Sequence, residues 1–114
     1  MTLVNLNNQD MELRYDYNSV CDIEDKTGKG IQSLIHEDAG FFSLCRVLLW
    51  AGLRHRIGSL QISIVGNWLY DEIKKGNEVS EYMEKCMKEL VASGVLGEPL
   101  KDGEAMGEII PVNK

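Results

Sequence analysis

No run of about 18 apolar residues occurs in the 114-residue chain, which excludes the usual helical membrane span. The start, MTLVNLNNQD, has neither a basic opening nor an apolar core, so no signal peptide is expected. Proline is scarce: Pro99 and Pro111 are the only two, and both lie beyond Gly94, so no proline interrupts a helix before it. The three cysteines, Cys21, Cys45 and Cys86, are odd in number and widely spaced, with an apolar neighbour each. That pattern builds no disulfide framework and is expected of buried thiols in a reducing cytoplasm. The two histidines, His36 and His55, have no partner in HExxH or CxxC spacing, so no zinc site is expected. His36 stands before Glu37 and Asp38, which would make at most a weak surface metal contact.

Positive charge is short overall. Eighteen acids against 12 bases leave a net charge of −6, which argues against an unassisted grip on nucleic acid, whose affinity comes largely from cations on phosphates. The shortage is uneven, because residues 41–70 hold three arginines and no acid between acidic flanks.

Within that acid-free centre lies FFSLCRVLLWAGL, residues 41–53, apolar at almost every position apart from Ser43, Arg46 and Gly52. A helix that is hydrophobic all round is buried within a domain or against another molecule. Arg54, His55 and Arg56 follow, cations where the helix dipole favours them; with Arg46 they are also the candidates for touching phosphate. An all-apolar helix in so small a chain makes self-association expected.

Periodicity places the other elements. Residues 3–15 alternate on either side of a polar NNQD break and predict a β-hairpin, which needs helices to lie against. Asp16 caps a helix that Gly28 ends, with Val20 and Ile23 inward and Asp22, Glu24 and Asp25 outward. Ile31, Leu34 and Ile35 mark a short amphipathic turn or two. A helix is expected from Ser59, as cap, to Lys75, with Gly76 as stop. Residues 78–93 form the clearest amphipathic helix, with Asn77 as cap, Gly94 as stop, and Glu81–Lys85 and Glu84–Lys88 pairs on its outer face. The prediction is a mostly α fold: a short N-terminal β-hairpin followed by four to five helices around a buried central helix. Residues 1–94 would form one domain and residues 95–114 a flexible tail.

Catalytic chemistry finds little support. TGKG at 27–30 lacks the first glycine and the hydroxyl of a P-loop and reads as a helix end and turn. No cysteine falls in a predicted loop, and the paired carboxylates Glu24/Asp25 and Glu37/Asp38 look solvated rather than set in apolar surroundings that raise a pKa. No catalytic, cofactor-binding or metal-binding residue is assigned. Trp50, Trp68, Tyr82, Met83 and Met87 are the candidate partner-binding residues, with core packing as the competing role.

Two segments carry a resemblance. LRYDYNSVCDIEDKTGKGIQSL followed by LCRVLLWAGLRH resembles the tail assembly chaperones of long-tailed bacteriophages, prophages and gene transfer agents, in which a hairpin precedes a "DFNALCELEE-TGK" helix and an "LRALLWAGL" helix. The match covers Tyr15 to Gly28 and Leu44 to His55. It implies a non-enzymatic helical protein of the bacterial host cytoplasm, absent from the mature virion. Its partners would be the tape measure protein, a long apolar helical rod, and the tail tube protein, without cofactor, nucleic acid or membrane. Helix 78–93 would cover the central helix and partly exchange for client segments. Two other roles stay open on the residues alone: a structural head–tail or tail completion protein kept in the particle, and a small acidic regulator of another protein.

Overall fold

Two central asparagines with positive φ, Asn7 at 55° and Asn8 at 60°, close the first turn of the chain. That conformation matches the twist of a two-residue hairpin and suits asparagine, whose short polar side chain tolerates the left-handed region. It joins β1 (Thr2–Leu6) to β2 (Gln9–Leu13), antiparallel with Val4 opposite Met11 and Leu6 opposite Gln9. The register puts Val4, Leu6, Met11 and Leu13 on one buried face.

Five helices follow in the computed structural model, which describes residues 1–36 and 40–97: α1 (Tyr17–Thr27), α2 (Ile31–His36), α3 (Phe41–Leu53), α4 (Ile62–Lys74) and α5 (Val79–Ser93). The fold is therefore mostly α, with an N-terminal hairpin and five helices, as the periodicity predicts. None of the described helices is long and apolar enough to cross a membrane. The expected tail from residue 98 onward lies outside the described residues, whereas Val95 and Leu96 pack on the core.

Asp16 opens α1 through a capping box: its carboxylate accepts from the Ser19 amide at 2.9 Å, and Ser19 Oγ accepts from the Asp16 amide at 3.3 Å. These bonds from Ser19 hold the Asp16 carboxyl below the ordinary aspartate value. Gly28 ends the helix at φ 73°, where a side chain would be strained, so TGKG is a helix stop. Two of the three acids expected on the outer side of α1 have structural partners instead. Asp22 accepts from Arg54 at 2.8 Å, and Glu24 Oε2 accepts from the Ile31 amide at 2.8 Å, at the start of α2.

α3 is central and touches α1, α4, α5 and β2. From Val47 to Leu53 every residue is buried. The absence of a solvent face, expected for all of residues 41–53, holds only for that part. Phe41, Phe42, Ser43 and Arg46 are exposed, because β2 and α1 pack on the C-terminal turns and leave the first turn uncovered.

Two helix starts differ from expectation for identifiable reasons. α4 begins at Ile62 with Gln61 as cap residue, because Leu60 belongs to a turn: its amide donates to Ile57 O at 3.0 Å and its carbonyl accepts from Trp50 Nε1 at 2.9 Å. Glu78, not Asn77, occupies the cap position of α5, because Asn77 donates to the Glu72 carboxylate at 2.8 Å and to the Glu72 carbonyl at 3.0 Å. Lys85 donates to Leu3 O at 3.1 Å across to the hairpin, and the ion pairs among the described residues include neither Glu81–Lys85 nor Glu84–Lys88.

Gly52 is where hairpin and central helix meet. A Cβ there would stand 2.9 Å from Leu13 and from the Tyr15 ring, while Arg14 N donates to Gly52 O at 2.9 Å and Tyr15 OH donates to Leu48 O at 2.6 Å. Gly52→Ala should therefore cost about 1–3 kcal/mol through overpacking, even though alanine is the better helix former by about 1 kcal/mol. Urea denaturation measures this, and an unchanged midpoint would show that the hairpin does not seat on α3 as described.

Candidate functional site

The exposed first turn of α3 forms one wall of an uncovered apolar surface. Phe42 is 67% exposed and Phe41 44%, with their rings edge to face at 5.8 Å. Across from them α4 presents Tyr70, 61% exposed, and Ile73, 43%. Buried Leu69 and Val79 reach up between the walls. Two adjoining hollows result, of about 230 Å³ and 390 Å³, which share Phe42, Ile73 and Val79. Lys74 lies over the Tyr70 ring at 4.6 Å and 3.5 Å from Asp71.

A third hollow, of about 380 Å³, continues from this surface past Ser43 and Arg46, which line both. It lies between α1, α2, α3 and α4, with Leu34, Leu44 and Val47 as apolar lining and Lys26, Lys29 and Arg46 as its charges. The Arg46 side chain lies across α4 at Gly66, where a Cβ would meet Arg46 Cδ at 3.2 Å. Together the hollows form a trough along the N-terminal half of α3, apolar at the Phe42 end and cationic at the Lys29 end.

The five residues singled out from sequence lie elsewhere. Trp50 and Tyr82 are each only 8% exposed and hold the fold together. The Trp50 indole N–H donates to Leu60 O, and its ring carries Arg54 at 5.0 Å and Lys26 at 5.3 Å. Tyr82 OH donates to Glu72 at 3.2 Å. Hydrogen bonding and packing use both in this conformation, and Tyr82 also lines a hollow of about 210 Å³ beside Glu72 and Lys85. Trp68, Met83 and Met87 are half-buried against the core. The trough residues Phe41, Phe42, Tyr70 and Ile73 are hidden by pattern: two begin the helix that reads as wholly buried, and two sit in one whose apolar spacing looks like core. The signal that separates them is Arg46, a charge on the same turn-to-turn face as Phe42.

The basic cluster is also divided. Arg54 bonds Asp22, and its Nε is buried without a partner among the described residues. His55 Nε2 lies 2.8 Å from Glu12 O, and since a carbonyl can only accept, Nε2 carries the proton. Of the four cations that are candidates for touching phosphate, Arg54 and His55 thus tie α3 to α1 and β2, as the helix-end role implies, while Arg56 and Arg46 are exposed.

The buried reactive groups are poised for structure. Glu72 is 3% exposed, just beneath the surface under Asn77, Lys75 and Tyr82. Burial pushes its carboxyl up, but the bonds from Asn77, Lys75 and Tyr82 and the Lys75 ammonium outweigh that and hold it below the ordinary glutamate value. A catalytic acid needs the opposite shift. Burial pushes the Cys45 and Cys86 thiols up to about 12, and Tyr82 likewise to about 12 with Glu72 beside it. Such thiols stay protonated and weakly nucleophilic at neutral pH. Cys45 donates weakly to Val79 O at 3.9 Å, and Cys21 is half-exposed rather than buried as expected. Among the described residues no three His, Cys, Asp or Glu side chains converge to hold a metal; Glu37 and Asp38, the neighbours of His36, lie outside the described residues.

Protein-family models, curated proteins and solved structures were all compared with this chain, and none matches.

Two measurements test these roles of the buried groups. Because the Glu72 pKa is lower folded than unfolded, its contribution to stability is present above the ordinary glutamate value near 4.5 and is lost as pH falls through the lowered value. Denaturation midpoints should therefore drop on acidification below about pH 4.5, and drop less in Glu72→Gln, which should itself cost about 1–3 kcal/mol at neutral pH. A parallel acid response in both proteins would refute the assignment. Separately, a thiol reagent such as Ellman's should label one cysteine quickly in the native chain, Cys21, and all three only in denaturant.

Proposed function

We propose that this chain is a tail assembly chaperone of a long-tailed phage or prophage, a non-enzymatic protein that holds the apolar helical tape measure protein during assembly and aids delivery of tail tube subunits around it. Its place would be the bacterial host cytoplasm, and it would leave before the virion is finished. The resemblance of Tyr15–Gly28 and Leu44–His55 to that family suggests the role.

The observation that carries it is the exposed aromatic trough. Four large apolar side chains, Phe41, Phe42, Tyr70 and Ile73, stand between 43% and 67% uncovered on the two facing helices. Contiguous apolar surface on a small acidic chain marks a docking site, and a groove between helices suits the apolar stripe of a client helix. The client would dock here first, and exchange of α5 for client segments through Met83 and Met87 becomes a second mode. Self-association belongs to the same reading, since a second copy of the chain would be the competing occupant of an uncovered trough.

Co-expression with the tape measure protein encoded nearby tests the reading. The client should become soluble and co-purify. Phe42→Asp with Tyr70→Asp should abolish this while circular dichroism and the denaturation midpoint stay near wild type, because both side chains are already largely in water. Met83→Asp with Met87→Asp would act more strongly only if α5 exchange dominates. A folded chain that leaves the client insoluble, yet turns up in purified particles, would instead be a structural tail component.

A further inference from the structure

Arg46 joins the two halves of the trough. Its side chain lines both the apolar hollow beside Phe42 and the cleft that holds Lys26 and Lys29, and it makes no ion pair among the described residues. Among the described residues no acid lines either of the two hollows that Arg46 borders, although the chain as a whole carries six more acids than bases. At the opposite end of the trough the charge has the other sign, since Glu78 borders the hollow between Phe41 and Val79. The trough is therefore an apolar floor with a cationic end and an anionic end.

We propose that the trough takes an amphipathic helical segment of a partner protein whose apolar stripe ends in one or two carboxylates, which seat in the cleft of Arg46, Lys26 and Lys29. Charge complementarity sets this chemistry. A carboxylate at the Arg46 end gains two or three cations in a partly desolvated cleft, whereas one at the Glu78 end meets a like charge. Area argues for a segment rather than a second copy of this chain. The exposed parts of Phe41, Phe42, Tyr70 and Ile73 amount to on the order of 400 Å², about half of the roughly 800 Å² per partner of a stable globular interface. A single helix laid in a groove needs less. The inference rests on the chaperone reading for the trough's being a docking site, and adds the charge that its client carries.

Three fluorescently labelled peptides of about 18 residues test it, identical in a Leu/Phe stripe and differing only in two positions at one end, filled by Glu, Gln or Lys. Anisotropy titrations against the full chain should give the Glu peptide about tenfold tighter binding than the Gln peptide, with the difference fading in roughly 0.5 M salt. Arg46→Glu should remove that preference and favour the Lys peptide; Arg46→Gln, the milder change, should equalise Glu and Gln peptides. Equal binding of all three to the wild-type chain overturns the inference and leaves the apolar trough intact. Binding of none overturns it together with the trough's docking role. Dimerisation that Phe42→Ser abolishes, with peptides binding only that variant, assigns the trough to a second copy and likewise overturns it.

Discussion

The approach of Tyr15 to the backbone of α3 at Gly52 is the contact on which the remaining packing depends. With no side chain at Gly52, Leu13 and the Tyr15 ring occupy the space where a Cβ would stand, 2.9 Å away. The phenol then reaches the Leu48 carbonyl at 2.6 Å, and Arg14 bonds the Gly52 carbonyl. A two-stranded hairpin is marginal alone. Pinned here, it lays Val4, Leu6, Met11 and Leu13 into the core, and α5 closes over it with Lys85 on the Leu3 carbonyl. The Tyr15 hydroxyl, buried among Cys86, Cys45 and the helices, is held well above the ordinary tyrosine pKa, chiefly by burial, and so remains a donor under all ordinary conditions.

That single docking event also decides which part of α3 is covered. The hairpin and α1 take the C-terminal turns, α4 and α5 take the flanks, and the first turn is left with two phenylalanines in solvent. Other polar ties then lock the periphery without adding reactive chemistry. Trp50 holds the turn after α3 through Leu60, Arg54 reaches back to Asp22 on α1, and Glu72 gathers Lys75, Asn77 and Tyr82 where α4 hands over to α5. Each joins two elements through a buried or half-buried polar group, the arrangement expected where polar atoms specify a packing, and of these groups the Arg54 Nε is left without a partner among the described residues.

Local signals are readable wherever one residue type does one job. Asp16 before an apolar-periodic run, Gly28 and Gly94 at helix ends, and the alternation of Val4, Leu6, Met11 and Leu13 are decided within a few residues. Partnerships across the fold are not readable. Asn77 looks like a cap, yet Glu72 claims both its amides; Ser59 looks like a cap, yet Trp50 claims the carbonyl of Leu60 and keeps α4 from starting until Ile62. Asp22 looks solvated until Arg54 arrives from thirty-two residues on. The trough is hidden for the same reason. Phe42 and Ile73 have the spacing of core residues, and only the tertiary arrangement leaves them uncovered.

The segments that suggest a family are the ones that build this arrangement. Tyr15, Asp16 and Gly28 in the first, and Trp50, Gly52 and Arg54 in the second, each dock, cap, stop or tie a helix. A surface that docked a client helix would follow different physics, since it would require only apolar area, a groove of helix width and charges placed to suit one partner. Phe41, Phe42, Tyr70 and Ile73 meet the first of those demands from outside the resembling segments, while Arg46 lies within the second of them. On the proposed chaperone reading such a scaffold could be kept while its trough was refitted to a different client, because exposed side chains can change without disturbing the contact at Gly52. On that reading specificity would reside in the sign and position of charges such as Arg46 and Glu78, and stability in the buried helix beneath them.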